Sequence, residues 1–320
     1  MKNVFITGIS GLLGTNLAAE LLDQGYFVKA IIRDTSKYIG KNTSNLELIK
    51  MDLSGDYRNY LKEADIVIHV AAETSTNLIR YVDYEKINYE ATVRLFEIAK
   101  EQNVKRFIFI STANTIGYGS LEHLGTETQK IKKPFSKLHY AKSKQKAENY
   151  LLKKHDGINL KILNPTFMIG PYDSKPSSGK IILMSLNKKI VFYPPGGKNF
   201  VPVKDVVSAI INSFQHGKSG EKYLISGNNL SYKEFFKELK EITDEKQFLI
   251  PIPVPVLMTV GMVGNLMRQL SIKTSLSSAN MKALCVKNYY SNQKSVRELR
   301  ITYTSLSSAI KEAVTYFQKT

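Results

Sequence analysis

The run Phe5-Ile6-Thr7-Gly8-Ile9-Ser10-Gly11-Leu12-Leu13-Gly14 decides the fold. Val4 to Ile6 is the apolar run of a strand buried on both faces, and Leu17, Leu21 and Leu22 further on keep helical spacing. The glycines therefore occupy a tight turn between a strand and a helix. Gly8 permits the sharp exit from the strand, Gly11 lets backbone N–H groups approach a pyrophosphate, and Gly14 lets the helix pack closely on the sheet. Three glycines alone are a weak signal. The strand before and the helix after make them a dinucleotide-phosphate site, with the anion on the helix's positive end. Gly8, Ser10, Gly11, Leu12, Leu13 and Gly14 are the candidates for that contact.

Outward from this turn the chain alternates strands with helices. Phe27–Ile32, Leu46–Met51, Ile66–Val70, Arg106–Thr112 and Leu160–Asn164 read as strands, with helical patterns around Asn88 to Phe96 and from Tyr140 to Leu152. Such alternation implies an α/β, doubly wound parallel sheet of the Rossmann type, with its ligand at the C-terminal ends of the strands. Residues 1–165, with parts of 195–225, form that nucleotide-binding domain. Residues 166–320, mainly 166–195 and 226–300, where the alternation fades, form a smaller C-terminal substrate lobe.

The strand ends carry the remaining candidates. NAD-specific sites of this design place an acid after the second strand to grip the ribose 2′-OH. Here that place holds Ile32 or Arg33, with Lys37 and Lys41 nearby, which suits a 2′-phosphate and favours NADP(H) over NAD(H). The plainer alternative makes Arg33 one more surface charge, and Asp34 beside it would either repel a phosphate or point away. Asp52, before Leu53, either accepts a hydrogen bond from the adenine amino group or caps the next turn. Ala71 and Ala72 leave room for a cofactor to lie across the sheet, and His69 reads as a packed core histidine. The hydroxyls of Ser111 and Thr112 are expected to point at the site. Tyr140 and Lys144, at i and i+4, share one helix face. This spacing is cheap, since Tyr150 with Lys154 and Tyr290 with Lys294 repeat it. Only the Tyr140 pair follows the fifth strand at a distance that lets it meet Thr112.

Composition narrows the class. The chain has 320 residues, 43% hydrophobic and 23% charged, as a globular protein with a full core has. A net charge of +17 suggests nucleic acid or an anionic membrane, but the lysines are scattered, with no arginine-rich arm or zinc-finger spacing, so no nucleic-acid partner is expected. The single cysteine, Cys285, excludes an internal disulfide, and the five histidines make no ligand pair, so no metal is expected. Met1-Lys2-Asn3 runs straight into a strand, leaving no room for a signal peptide, so the cytoplasm is the default. Phe248 to Met267 has no charge, yet Pro251, Pro253 and Pro255 break it. The helical remainder, Val256 to Leu270, is shorter than the roughly 20 apolar residues that span a bilayer. A buried or lid helix over a substrate pocket is expected, with a surface-lying anchor as the alternative.

With Thr7-Gly8-x-x-Gly11-x-x-Gly14, Arg33, Asp52-Leu53, Ser111-Thr112, Tyr140-x-x-x-Lys144 and Asn164-Pro165-Thr166 in this order, the chain resembles an extended short-chain dehydrogenase/reductase over nearly its full length. The loop from Asn164 to Pro171 and the stretch Gly196 to Val206 look most like the dihydroflavonol-reductase and 3β-hydroxysteroid-dehydrogenase-like branch. By this resemblance Tyr140 is the general acid/base, and Lys144 lowers its pKa and holds the nicotinamide ribose. Thr112 orients the carbonyl, with Ser111 as the adjacent candidate. Asn88 supports the active site, and Pro165, Thr166, Phe167 and Met168 line the nicotinamide side. A homodimer packed through the helix bearing Tyr140 is also implied. Dehydratases of this superfamily carry an Asp-Glu pair after the threonine; Ala113-Asn114 stand here, which argues against dehydration. Sugar-nucleotide enzymes tend to carry an arginine before the Phe-Val segment, and Lys198-Asn199 stand here instead. The leading expectation is an NADPH-dependent reductase of a ketone or aldehyde on a small, fairly apolar molecule, with Phe167, Met168 and Val256 to Leu270 as pocket walls. A nucleotide-sugar epimerase with tightly held cofactor is the alternative, and a non-catalytic NADP-binding regulator the third.

Overall fold

The computed structural model describes residues 2–319; Met1, ahead of the first strand, lies outside them. The strands are β1 Asn3–Thr7, β2 Phe27–Ile32, β3 Leu46–Lys50, β4 Ile66–His69, β5 Arg106–Ile110, β6 Asn159–Pro165, β7 Phe167–Ile169, β8 Ile190–Tyr193, β9 Gly197–Pro202, β10 Glu221–Ile225, β11 Asn228–Ser231, β12 Phe248–Pro251 and β13 Lys287–Asn288. The helices are α1 Leu12–Asp23, α2 Arg58–Leu61, α3 Tyr81–Glu85, α4 Ala91–Glu101, α5 His139–Lys154, α6 Lys180–Leu183, α7 Val203–Asn212, α8 Tyr232–Thr243, α9 Val254–Gln269, α10 Ser278–Cys285, α11 Gln293–Leu299 and α12 Leu306–Lys319.

Seven strands build one sheet in the order β10-β6-β5-β4-β1-β2-β3, every pairing parallel. The order reverses between β1 and β4, where Thr7 stands level with both Ile31 and His69. At this switch point the connections leave in opposite directions and open a crevice above the strand ends. Strand alternation sends β1 into two cores. Val4 and Ile6 join Leu13, Leu17 and Val206 beneath α1 and α7, whereas Phe5 joins Val67, Phe107, Phe96 and Leu151 beneath α4 and α5. Burial on both faces explains why the strands read as unbroken apolar runs.

Apart from α7 and β10, which belong to the main sheet and its core, the chain after β6 forms smaller sheets around a third core that includes Val191, Phe200, Phe235 and Ile310. β9 pairs β11 antiparallel and β7 and β13 in parallel, and β12 runs parallel to β8. The expectation for the apolar segment after Phe248 is corrected here. α9 buries only Leu257, Gly261 and Gly264, and no residue of 248–270 lines either ligand cavity, so it is neither a core helix nor a pocket wall. Its inner face is made of glycine, so the helix lies against the segment leading into α10 with its large side chains turned outward: a Cβ on Gly264 would overlap the Leu276 carbonyl, and one on Gly261 would sit 2.8 Å from the Ser278 Cα. Among the described residues no helix is long and apolar enough to cross a membrane.

Candidate active site

The glycine turn shapes a cleft of about 370 Å³ at the switch point. Gly8 takes φ +80°, and a Cβ there would lie 2.6 Å from the Ala71 nitrogen; one on Gly14 would lie 2.1 Å from the Gly8 carbonyl. Both positions require glycine, the first by conformation and contact, the second by contact alone. Gly11 faces open space, with only the Gly8 carbonyl at 3.7 Å, so any larger residue would fill the cleft. No side chain caps α1, which leaves its first N–H groups turned toward that space. Gly8, Ser10, Gly11, Leu12, Leu13, Gly14, Arg33, Asp52, Leu53, Ala71, Ala72 and Met168 all line the cleft. The donor set fits a dinucleotide pyrophosphate: uncapped amides at a helix start, an apolar floor and a cation at one end.

Beneath the cleft lies a sealed polar chain. Thr7 Oγ1 bonds His69 Nδ1 at 2.6 Å and accepts the Ala71 N–H at 3.3 Å, while His69 Nε2 meets Thr92 Oγ1 at 2.9 Å. Burial pulls the imidazole down to about 3, so His69 is a neutral strut between β1, β4 and α4.

The charges around Arg33 are partly corrected. Asp34 accepts from the N–H and hydroxyl of Ser36, at 3.2 and 2.7 Å, and pairs with Lys37 at 3.1 Å. These contacts hold its carboxyl down at about 2 and turn it away from the cleft. Lys37 is spent on Asp34 and does not line the cleft; Lys41 pairs with Asp23. Arg33 lines it beside the ends of β2 and β3, and Lys175 lines it as well. Asp52 accepts from the N–H and hydroxyl of Ser54, both at 2.9 Å, so it caps its turn while also lining the cleft.

A second cavity of about 910 Å³ shares Arg33, Ala72 and Met168 with the first and continues it over the ends of β5 and β6. Thr112, Tyr140, Pro165, Thr166, Phe167 and Met168 line it. Thr112 follows β5 and Tyr140 lies in the first turn of α5. Burial pushes the Tyr140 phenol up to about 12, against the lowering pull of its hydrogen bond with Thr112. Ser111 points the other way, because neighbouring residues at a strand end face opposite sides. Its hydroxyl donates to the buried carboxylate of Glu148, so the expectation that both hydroxyls face the site is corrected to Thr112 alone.

Lys144 departs from expectation as well. It is fully buried, lines neither cavity, donates to the Ile110 carbonyl at 2.7 Å and sits 4.0 Å from the Phe109 ring centroid. Burial pulls it down from 10.5 to about 7, with the charge of Glu148 opposing. At Tyr140 itself burial is the dominant influence. Asn88 stands behind the cavity wall as a strut, a supporting place, and does not itself line the cavity. Its amide oxygen accepts the Glu73 N–H at 2.7 Å, and its NH₂ donates to the Glu73 carbonyl and to Ser143 Oγ, both at 3.0 Å. It pins the loop after β4 to α5 from within a π-helical turn, Lys86–Glu90.

Sequence reasoning missed Glu148, which lies four residues after Lys144 and eight after Tyr140 on the same helix face. It also missed most of the second cavity's wall. Lys175, Lys180 and Lys198 line it with Asn199, Asn288 and Tyr290, so beside the expected apolar residues Phe167 and Met168 the cavity carries a basic side that the sequence reading did not include. Lys198 has no ion-pair partner among the described residues; its ammonium lies 4.9 Å from the Phe167 ring centroid, and burial pulls it down to about 8. Lys198 stood in the sequence just before the Phe200-Val201 segment, but only the pairing of β9 with β7, the strand that follows β6, brings it to the cavity over the ends of β5 and β6.

Fold and strand-end residues together place the chain among the extended short-chain dehydrogenase/reductases. It belongs to the NAD dependent epimerase/dehydratase family, which residues 4–226 match. A "Putative dihydroflavonol 4-reductase" of Synechocystis is 28% identical, over 98% of this chain and 94% of that protein. The sterol-4-alpha-carboxylate 3-dehydrogenase (decarboxylating) of Dictyostelium discoideum is 27% identical, over 95% and 97%. The crystal structure of gox2253 superposes with a TM-score of 0.83 at 26% identity, covering 100% of this chain and 98% of that one. A UDP-N-acetylglucosamine 4-epimerase of Methanobrevibacter ruminantium shares the fold, with a TM-score of 0.80 at 20% identity over 99% and 98%.

Proposed function

We propose that this protein is an NAD(P)H-dependent oxidoreductase that interconverts a carbonyl and an alcohol on a small molecule carrying a negatively charged group. The observation that carries the reading is the Thr112–Tyr140 hydroxyl pair on the wall of a cavity continuous with the phosphate-binding cleft. Hydride transfer is the chemistry that a bound nicotinamide supplies here. Gly11 and the amides of Leu12 and Leu13 hold the pyrophosphate, and Arg33 favours a 2′-phosphate and hence NADP(H). Tyr140 keeps its phenolic proton through neutral pH because burial holds its pKa high, and delivers that proton to the substrate oxygen in the reducing direction. Thr112 orients that oxygen, and Lys198 attracts the anionic group.

Titration with NADH and NADPH, then a panel of neutral and carboxylated ketones and aldehydes followed by nicotinamide absorbance, tests the reading. NADPH preference with faster turnover of the carboxylated compounds is expected. The basic side of the cavity also suits a nucleotide-linked sugar, the second reading. Cofactor that survives purification and no net change in absorbance would select it. Cofactor binding without turnover of any substrate class would leave a regulatory role.

A further inference from the structure

α9 is inverted relative to an ordinary surface helix. At about 100° per residue, its buried residues Leu257, Gly261 and Gly264 fall on one side, and Val256, Met262, Val263, Leu266 and Leu270 fall in an arc of roughly 120° opposite. That arc faces outward, with Met262 60% and Leu266 58% exposed, and it carries no charge. The two-stranded sheet leading into α9 extends the surface. Phe248 pairs with Ile190 and Ile250 with Phe192, and all four are exposed, Phe248 to 73%. Most of the protein's exposed large apolar side chains lie in this one region, and a patch of that kind marks an interaction surface.

Charge identifies the partner. Between Glu245 and Glu298 the chain has no acidic residue, but it has Lys246, Arg268, Lys273, Lys282 and Lys287. Lys188 and Lys189 lie immediately before Ile190, and both are exposed, as are Lys246 and Lys273. A second copy packed here would bring cations against cations, whereas an anionic lipid surface meets both the apolar arc and the flanking charge. α9 has 16 residues, and among the described residues no helix is long and apolar enough to span, so a lipid contact of this segment would lie in the interface. The helix is tied to the rim of the larger cavity from its packed side: Arg268 Nη2 and, from α10, Asn280 Nδ2 both donate to the carbonyl of Thr76, a rim residue, at 2.7 and 3.3 Å.

We propose that the protein docks peripherally on anionic bilayers through the outward apolar face of α9 and the β8–β12 sheet. The test is co-sedimentation of the full chain with vesicles of phosphatidylcholine alone and with about a third phosphatidylglycerol. Binding to the anionic vesicles that weakens with salt is expected, with much less binding to phosphatidylcholine. The double variant Val263→Ser/Leu266→Ser should bind roughly tenfold less or weaker. It should keep the wild-type circular dichroism and cofactor affinity, since both side chains are exposed and outside the site. Three results would overturn the proposal: no binding to either vesicle, binding that the double variant does not weaken, or a dimer in sedimentation velocity that the double variant abolishes, which would show that a second copy covers the face.

Discussion

Lys144 is a cation buried against the underside of the site, and replacing it should stabilise the protein most where the lysine is charged. Burial pulls its pKa from 10.5 to about 7 in the folded chain. Between those two values the folded state binds fewer protons than the unfolded chain. The penalty is therefore complete below about pH 7 and is relieved as pH rises toward the unfolded value. From about pH 6 to about pH 9 the relief amounts to ~3 kcal/mol. Lys144→Met keeps the aliphatic stem and removes the titration; it also removes the hydrogen bond to the Ile110 carbonyl, a cost of ~1–2 kcal/mol that does not depend on pH. Urea unfolding of both proteins at the two pH values measures the difference in stability. The variant should gain on the wild type at the lower pH, and its relative advantage should shrink by ~3 kcal/mol at the higher. A difference that is the same at both pH values would refute the assignment of a depressed lysine.

Glu148→Gln removes the negative charge that opposes the fall of the Lys144 pKa, so any limb of the pH–rate profile that reports Lys144 should move to lower pH; it also strands Lys222, which pairs with Glu148 at 2.7 Å, at a cost of about 3 kcal/mol in unfolding experiments. Gly14→Ala drives a methyl into the Gly8 carbonyl and the Ile9 backbone, so the turn must open; calorimetric titration should show cofactor affinity reduced by roughly tenfold or more, with thermal stability lowered. Lys198→Met should raise KM for carboxylated substrates by roughly tenfold to a hundredfold while leaving kcat and the KM of neutral analogues nearly unchanged, as steady-state kinetics on matched pairs would reveal.

The N-terminal half was legible because its signals are local. A buried strand, a glycine turn and a helical repeat adjoin in sequence, and the i, i+4 spacing of Tyr140 and Lys144 needs only a helix. The misreadings came from contacts that cross the chain. Lys41 meets Asp23 and Lys144 bends to Ile110, and neither partner is marked by spacing. Ser111 and Thr112 are equivalent in sequence until the strand's facing is known. The short strands β7, β8, β11, β12 and β13 carry too few residues to show alternation and pair with distant segments. The α9 run reads as core by hydrophobicity, because nothing in a count of apolar residues shows that its packed face is the glycine stripe.

The proton carrier is the centre of the mechanism, so the most direct measurement compares wild-type protein and Tyr140→Phe in single-turnover reduction of the best carboxylated ketone, with cofactor affinity measured on the same samples. The proposed chemistry predicts that Tyr140→Phe binds NADPH as the wild type does and loses a factor of roughly a hundred or more in the hydride-transfer rate. Wild-type rates in Tyr140→Phe would contradict it.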